Sequence, residues 1–293
     1  MSVHQSVLLN EVLEYLKVQP GRRYIDATLN GGGHTAAIAE RGGIVLGIEW
    51  DPVLASRTAE RFASSPLGNR ITVVSDSYIN MVRIAGMRDF RPDGVLFDLG
   101  LSSWHYEASG RGFSFKRDEP LDMRFDADVG MPASEIVNTY EVAELEQILR
   151  DYGEEQFSHQ IAAAIGQARK RQPVMTSGQL AAVVESAVPN WYKHRKIHCA
   201  TKTFQALRVV VNDELKNVER GVRAALEILP PGGRLVVISF QGHEDKIVRE
   251  IFKEEVKKGI ITLPAKRTIR PEWTEQKANP RSRSAKMKIA EKI

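Results

Sequence analysis

DATLNGGGHT, residues 26–35, follows the short apolar run of residues 24–25 and precedes a helix-compatible stretch at residues 36–41. A strand, a glycine turn and a helix start in this order are typical of a site where a nucleotide-like ligand meets a parallel sheet. The glycines at 31–33 let the backbone take positive φ and approach a ligand with no Cβ in between, while the first N–H groups of the helix stay free to donate. The stretch therefore predicts a ligand held against bare backbone.

A second apolar run supports that interpretation. Residues 44–48 predict a buried parallel strand, which ends in Glu49, 17 residues after Gly32. An acid in this place accepts hydrogen bonds from both hydroxyls of a ribose. Asp51 and Pro52 then supply the N-cap and the first-turn proline of the next helix. Three glycines alone can also close a tight turn without any ligand, but the acid favours a cofactor that carries a ribose.

Length and composition bound the class of protein. At 293 residues and 42% hydrophobic, the chain can build a full α/β core and exceeds the usual size of one domain. It has no apolar run of the ~18 residues that a membrane span needs and no signal-like start, so we expect a cytoplasmic protein that does not enter a membrane. Cys199 is the only cysteine, which excludes an internal disulfide and fits a reducing cytosol.

Positive charge is concentrated in two segments. Residues 257–293 contain eleven Lys or Arg against three Glu, a net charge of +8 that leaves −4 for the remainder. Residues 191–202 contain no acid and combine four basic residues with two histidines and two aromatic residues. Each segment is typical of a surface that faces a polyanion such as RNA, although charge runs are also common on solvated faces.

Further strand candidates continue in βα order. Residues 71–74 are rich in β-branched residues, and residues 93–97 (DGVLF) predict a strand that is followed by Asp98. Four strands alternating with helical stretches predict a Rossmann-like, doubly wound, mostly parallel sheet. Ligands of such sheets lie across the carboxyl ends of the strands, so the loops that follow the four strands should share one crevice.

The βα pattern then stops. Residues 101–126 have neither helical nor strand periodicity and mix five aromatic residues with many charges, which is typical of a lid over a substrate. Residues 134–188 show three successive helical patterns with no strand between them and predict a small inserted helical domain. One long helix at about 201–229 then returns the chain to the core, and residues 234–240 and 285–289 predict two more strands.

These patterns divide the chain into three segments. We predict a first part of the core at 1–105, the lid loop with an inserted all-helical, substrate-binding domain at 106–199, and a second part of the core at 200–293.

The glycine turn also discriminates between cofactors. The dinucleotide fingerprint G-x-G-x-x-G requires a third glycine where the chain has Ala36, and His34 occupies a position that normally needs a small residue. This argues against NAD. S-adenosylmethionine has no pyrophosphate to hold, so a looser glycine turn suffices for it.

Seven motifs spread over most of the chain together resemble one family, the bacterial 16S ribosomal RNA cytosine-N4 methyltransferases that use S-adenosylmethionine. The motifs are DATLNGGGHT, DLGLSS, RGFSF, PLDMRFD, TFQALRVVVNDEL, PGGRLVVISF and NPRSRSAK. The resemblance implies a class I methyltransferase core with an inserted helical domain. It also implies an enzyme that methylates the N4 amino group of a specific cytidine in the decoding region of 16S rRNA, within the small ribosomal subunit.

By matching motifs, the resemblance also implies a set of cofactor contacts. They are Gly32, Gly33, His34, Glu49, Tyr78, Asp98 and His105. The sequence departs from the family pattern in four places. Glu49 stands where the family commonly has Asp, the pair at 105–106 replaces Gln-Leu, Cys199 replaces a proline, and residues 241–243 replace His-Ser-Leu.

Methylation of an exocyclic amine sets a chemical requirement. The nitrogen lone pair is shared with the ring, so a group must accept an amino hydrogen while the nitrogen rehybridises. Related amino methyltransferases often carry a D/N/S-P-P-Y/F motif after the fourth strand; here Asp98 keeps the carboxylate and the prolines and aromatic are lost. We predict Asp98 as catalytic, with Ser102 and Ser103 as further acceptors. A helix cap or a cofactor-only contact is an equal alternative for Asp98.

The lid supplies candidate substrate contacts. A ring that stacks on the target base is expected from Phe113 or Phe115. Arg111, Asp122 and Arg124 either contact phosphates or pair with one another, and their place in a lid favours phosphate contact.

Other functions and sites are weighed on the same residues. His194, His198 and Cys199 lack the spacing of a zinc site, so no metal is predicted. A catalytically silent RNA-binding factor on the same scaffold and a dinucleotide dehydrogenase are the two alternative functions. Formation of a homodimer is left open by the sequence.

Overall fold

A computed structural model describes residues 6–293; the start of the first predicted segment, residues 1–5, lies outside the described residues. The described chain forms two compact units. One comprises the described residues up to Ser102 together with Leu215–Ile293, and the other comprises Ser103–Glu214. Among the described helices, none has the length and apolar character needed to cross a bilayer.

A seven-stranded sheet organises the described part of the first unit. Its strands are β1 (Arg23–Asp26), β2 (Ile44–Glu49), β3 (Ile71–Ser75), β4 (Gly94–Asp98), β5 (Arg234–Ser239), β6 (Ile261–Thr262) and β7 (Lys286–Lys292). They lie in the order β3-β2-β1-β4-β5-β7-β6, in which the first five pair in parallel and β7 pairs antiparallel with both neighbours. The predicted mostly parallel sheet is confirmed; β6 was not predicted.

Helices cover both faces of this sheet. They are α1 (Leu9–Tyr15), α2 (Gly33–Glu40), α3 (Pro52–Ala63), α4 (Met81–Gly86), α12 (Glu214–Ile228), α13 (Gly242–Lys257) and α14 (Trp273–Ala278). Ile25 and Val95 pack in one core cluster with residues of α12, while their neighbours Tyr24 and Leu96 pack in a second with residues of α1 and α2. Successive residues of a strand face opposite sides of the sheet. A sheet with helices on both faces therefore needs continuous apolar runs in its strands, as the sequence shows.

The second unit carries helices and no strand of the sheet. Its helices are α5 (Ser103–Glu107), α6 (Ala133–Thr139), α7 (Val142–Gly153), α8 (Ser158–Arg171), α9 (Ser177–Ala187), α10 (Asn190–Lys193) and α11 (Thr201–Val211). The lid segment belongs to this unit and is packed within it, because Leu121 and Met123 are fully buried. Asn212 fixes the same segment by donating to the Met123 carbonyl and accepting the Phe125 N–H, both at 2.8 Å.

The prediction of one long helix over residues 201–229 is wrong. The chain forms α11 and α12 with a break at Asp213, which has the left-handed φ of 47°. Aspartate tolerates this conformation better than most residues, and the side chain of Asn212 is engaged with the lid segment instead of solvent. Helix α11 packs against α7, so the helical unit extends to Glu214 and not to residue 199.

Candidate active site

The glycine turn ends at the start of α2. Gly32 is the N-cap of this helix and has a φ of 68°, and Asn30 before it has a φ of 49°. Arg61 on α3 holds the turn from behind, its Nη2 donating to the Gly31 carbonyl at 2.6 Å. Gly32 makes no side-chain capping hydrogen bond, and the Ser6 hydroxyl lies beside Gly33, where an added Cβ would overlap its Oγ. Donation from the first backbone N–H groups of this helix to a ligand stays a prediction.

Replacing Gly32 by alanine tests the turn. A Cβ there would lie 2.7 Å from a ring carbon of Phe62, and a positive φ costs a non-glycine residue about 1–2 kcal/mol. We expect Gly32→Ala to lower the Tm by about 4 °C or more and to weaken cofactor binding in a titration. Gly86→Ala is the matched control, because a Cβ at Gly86 meets no atom within 4 Å. Equal behaviour of the two variants would show that the turn has no special geometry.

Glu49 connects the turn to the end of β2. Its Oε2 accepts the Asn30 N–H at 2.8 Å and its Oε1 accepts the Asp51 N–H at 2.9 Å. Burial raises the pKa of Glu49 to about 7, against the lowering effect of these hydrogen bonds. Each oxygen keeps one lone pair beyond its backbone bond, which suits the two hydroxyls of a ribose. The next residues behave as predicted, since Asp51 caps α3 by accepting the N–H groups of Val53 and Leu54.

Asp98 ends β4, next to β1 in the sheet. Its N–H donates to Thr28 Oγ1 at 2.6 Å, which ties it to the strand end of β1. Its Oδ2 lies 3.5 Å from His34 Nδ1, and its Oδ1 is buried with no hydrogen-bond partner among the described residues. Burial raises the pKa of Asp98 to about 7. No described backbone N–H donates to either oxygen, so the helix-cap alternative does not apply here.

His34 lies inside the first unit and not on an open surface. Its side chain is 5% exposed, and Nε2 lies 3.0 Å from the Val7 carbonyl oxygen. The neighbouring Asp26 was not predicted as a site residue; its buried carboxylate accepts a hydrogen bond from Thr35 Oγ1 at 2.7 Å. Its position in the sequence could have indicated a site residue, because Asp26 is the first residue of the glycine-turn motif and ends β1.

Tyr78 and Ser102 complete the predicted residues of the first unit. Tyr78 follows β3, and its ring packs edge-on against Phe97 with centroids 5.3 Å apart. The ring needs a glycine opposite it, because a Cβ at Gly221 would lie 2.5 Å from it. Ser102 is buried. The carboxyl ends of the parallel strands thus bring together the turn, Glu49 and Asp98, with Tyr78 after the adjoining strand β3.

The remaining predicted residues belong to the second unit. His105 packs edge-on against Phe113 and Phe125, each with ring centroids 5.2 Å apart. Phe113 is 5% exposed and stacks on Phe125. Phe115 stacks on His198 with centroids 4.3 Å apart. Both phenylalanines therefore pack on rings of their own unit, and their contact with a base stays a prediction. The predicted roles of Ser103 as an acceptor and of His105 as a cofactor contact also stay predictions.

Two alternatives were predicted for the charged residues of the lid, and the structure shows pairing between Arg124 and Asp122. Arg124 forms a two-point contact with Asp122, at 2.9 Å from Nε and 2.7 Å from Nη2. Arg111 donates to the carbonyl oxygens of Arg124 and Phe125, at 2.9 and 2.7 Å. These contacts shape the loop, and phosphate contact by the same side chains stays a prediction.

One cluster of potential metal ligands occurs among the described residues. Candidate ligand atoms of Glu185, His198 and Cys199 all lie within 4.8 Å of one another. His198 Nε2 lies 3.1 Å from a Glu185 oxygen, and its Nδ1 accepts the Ala200 N–H at 3.2 Å. Hydrogen bonds to both ring nitrogens account for the position of the imidazole without a metal. The spacing of the sequence did not reveal Glu185 as a neighbour.

Taken together, the strand order with an antiparallel β7, the glycine turn after β1 and the acids that end β2 and β4 define a Rossmann-like class I methyltransferase. The model of the MraW methylase family matches residues 1–293, and the chain belongs to this family. The resemblance drawn from the motifs is thereby confirmed, as is the prediction of a methyltransferase enzyme.

Three relatives illustrate the similarity, each named ribosomal RNA small subunit methyltransferase H. That of Syntrophus aciditrophicus is 40% identical over 312 aligned residues, covering 100% of this chain and 98% of the relative. That of Deinococcus deserti is 44% identical over 294, covering 99% and 94%. That of Persephonella marina is 40% identical over 296, covering 100% of both.

Proposed function

We propose that this chain transfers a methyl group from S-adenosylmethionine to the N4 amino group of a cytidine in the decoding region of 16S rRNA, within the small ribosomal subunit. The observation that carries the proposal is Asp98 Oδ1, a buried carboxylate oxygen that has no hydrogen-bond partner within residues 6–293, at the strand ends next to the glycine turn. An acceptor of this kind is what an amino nucleophile needs. The substrate and the family fit an enzyme of the bacterial cytoplasm.

The residues at the strand ends fit the proposed cofactor. Glu49 would accept hydrogen bonds from the ribose hydroxyls through its two remaining lone pairs. The bare turn at residues 31–33 would face the amino-acid portion. When bound, S-adenosylmethionine supplies an electrophilic methyl group on a positively charged sulfur. The acids of the site favour that charge, because opposite charges attract strongly where water is excluded.

Asp98 performs the step that the chemistry makes difficult. The amine of cytosine is a weak nucleophile until one of its hydrogens is held by an acceptor. Asp98 accepts that hydrogen bond and then the proton, while the strand ends hold the reacting groups in line and exclude water. Ser102 and Ser103 are the alternative acceptors proposed from the sequence.

A stacking surface in the second unit supports an RNA substrate. Trp191 is 61% exposed, yet its ring packs edge-on against Phe157 and Tyr192, with centroids 5.8 and 5.6 Å away. Tyr192 is fixed in turn by hydrogen bonds of 2.8 and 3.0 Å to the Glu155 carboxylate. The neighbouring basic residues are Lys193, Arg195 and Lys196. An exposed ring on a rigid support among cations is suited to stack an unpaired base beside phosphates.

Replacing Trp191 by alanine tests this surface. Stacking of one base on an aromatic ring contributes about 1–3 kcal/mol, so we expect RNA affinity to fall about tenfold or more. Binding of the purified variant to 16S rRNA, measured as a function of salt, provides the comparison.

Trp273→Ala is the matched control. Trp273 is 71% exposed and lies 5.3 Å from Lys277 Nζ, but Glu272 and Glu275 flank it in the sequence. We expect this variant to bind RNA like the unchanged chain. An unchanged affinity for Trp191→Ala would remove Trp191 from the RNA surface, whereas a loss in Trp273→Ala would show that the basic segment 257–293 also contacts RNA.

The function itself is tested with labelled cofactor. Small subunits that lack the modification are incubated with the enzyme and S-adenosylmethionine tritiated in its methyl group, and the rRNA is digested for nucleoside analysis. We expect label in N4-methylcytidine. Cofactor binding without methyl incorporation would instead support a silent RNA-binding factor, and tight binding of NAD would support a dehydrogenase.

A further inference from the structure

The surroundings of His34 determine where its hydrogen lies. Nε2 is 3.0 Å from the Val7 carbonyl oxygen, and a carbonyl oxygen only accepts hydrogen bonds. Nε2 must therefore carry the hydrogen. In a neutral imidazole the other nitrogen, Nδ1, then has a lone pair and no hydrogen.

That lone pair faces Asp98. Nδ1 lies 3.5 Å from Asp98 Oδ2, and both side chains are largely buried. Two lone pairs facing each other repel when His34 is neutral and Asp98 is ionised. One proton between them removes the conflict, either on the carboxyl group or on the imidazole. Contacts between such groups are often long in the absence of substrate and shorten in the reacting complex.

Other acids surround this pair. Burial lowers the pKa of the His34 imidazole and raises the pKa of Asp26, while Asp26 on β1 and Glu275 on α14 act in the opposite direction on His34 and favour its charged form. Asp26 is itself buried and accepts hydrogen bonds from Thr35 Oγ1 at 2.7 Å and from the Thr28 N–H at 3.3 Å. The site thus contains two acids that stabilise an imidazolium when they are ionised.

We propose that His34 and Asp98 share one proton, in addition to the Nε2 hydrogen, before methyl transfer and hold two such protons after it. His34 is then the positioning residue that keeps Asp98 able to accept the amino proton. The proposal rests on the function proposed above. In the step, the N4–H bond breaks, its proton joins Asp98 Oδ1, and the proton that the pair already shared lies on His34 Nδ1. The pair gains one positive charge, which resides on His34 beside Asp26. This balances the positive charge that disappears when the methyl group leaves the donor.

The arrangement gives His34 a role that the family motif does not state. Its motif position implies contact with the cofactor, and its backbone at the start of α2 is placed for that. Its side chain instead bridges the Val7 carbonyl and Asp98.

Nitrogen NMR of the histidine rings tests the proposal without RNA or turnover. The chain has seven histidines, and the His34 signals are identified by their loss in His34→Gln. We expect a protonated Nε2 at all pH values and an Nδ1 that responds to the proton shared with Asp98. In Asp98→Asn the midpoint of His34 protonation should fall by about one pH unit or more, since the carboxylate that favours the charge is gone. The NMR signals of His159, whose side chain is 74% exposed, serve as the control and should be the same in both proteins.

Kinetics provide the second measurement. In His34→Gln, kcat at neutral pH should fall about a hundredfold and recover in part at higher pH, where Asp98 ionises without help, while the KM for cofactor stays unchanged. The proposal would be overturned if the midpoint of His34 protonation were the same in Asp98→Asn as in the unchanged chain, or if Nε2 carried no hydrogen. Failure of the unchanged enzyme to methylate rRNA would overturn the proposed function and leave the NMR result standing by itself.

Discussion

Asp98→Asn is expected to lower kcat for methyl transfer by about a thousandfold, because a positioned proton acceptor contributes about 10²–10⁴ to such a step. Asparagine keeps the size of the side chain, so the cofactor affinity should change far less than kcat. Single-turnover methyl transfer and cofactor titration separate the two effects. Asp93→Asn is the matched control, since Asp93 precedes the same strand and pairs with Arg22 on the surface. Near-normal turnover of Asp98→Asn would remove Asp98 from catalysis.

Stability against pH checks that the Asp98→Asn protein is folded. The folded pKa of Asp98 is raised to about 7, above the ordinary value of 3.8, so between these values the folded state keeps a proton that the unfolded state has lost. This contribution to stability is fully present below pH 3.8 and is lost as the pH rises through about 7. Asparagine carries no such proton. We therefore expect Asp98→Asn to have a higher Tm than the unchanged chain at pH 8, a difference that shrinks toward pH 4.

Glu49→Ala is expected to weaken S-adenosylmethionine binding by about a hundredfold. Hydrogen bonds to a charged group contribute about 1.5 kcal/mol each, and two hydroxyls would lose about 3 kcal/mol together. The variant also releases the N–H groups of Asn30 and Asp51, which loosens the turn. Titration calorimetry with the cofactor measures the loss.

Two further variants show whether a loss of affinity in Glu49→Ala comes from the missing carboxylate. Glu49→Asp keeps a carboxylate at the end of β2 and should bind within about tenfold of the unchanged chain, a loss of no more than about 1.4 kcal/mol. Glu60→Ala changes an acid on the exposed side of α3, whose carboxylate accepts a hydrogen bond from Ser56, and should bind normally. An unaffected cofactor affinity in Glu49→Ala would show that the ribose lies elsewhere.

The sheet was predictable because its central strands are buried on both faces. Residues 44–48 and 94–97 are continuous apolar runs, and each is followed by an acid. Strand β6 has only two residues and carries no pattern of its own. The break between α11 and α12 was not predictable from periodicity. It depends on the left-handed Asp213 and on contacts of Asn212 with a segment 87 residues away.

The site was predictable where a single residue type at a strand end implies one chemistry. Glu49 and Asp98 are acids at the ends of parallel strands, and glycines between a strand and a helix leave few alternatives. The bonding of His34 was not predictable. It requires the Val7 carbonyl and the Asp98 carboxylate on opposite sides of one ring, which is a matter of three-dimensional packing. The lid rings likewise pack on partners that no spacing in the sequence reveals.

A crystal structure of the chain with S-adenosylhomocysteine tests the central claim, that the turn at residues 31–34 and Glu49 hold the methyl donor. We expect the ribose hydroxyls on the Glu49 carboxylate, the amino-acid portion against the turn, and the sulfur directed toward Asp98. A ligand bound away from the carboxyl ends of β1 and β2 would contradict the claim and with it the roles given to Asp98 and His34.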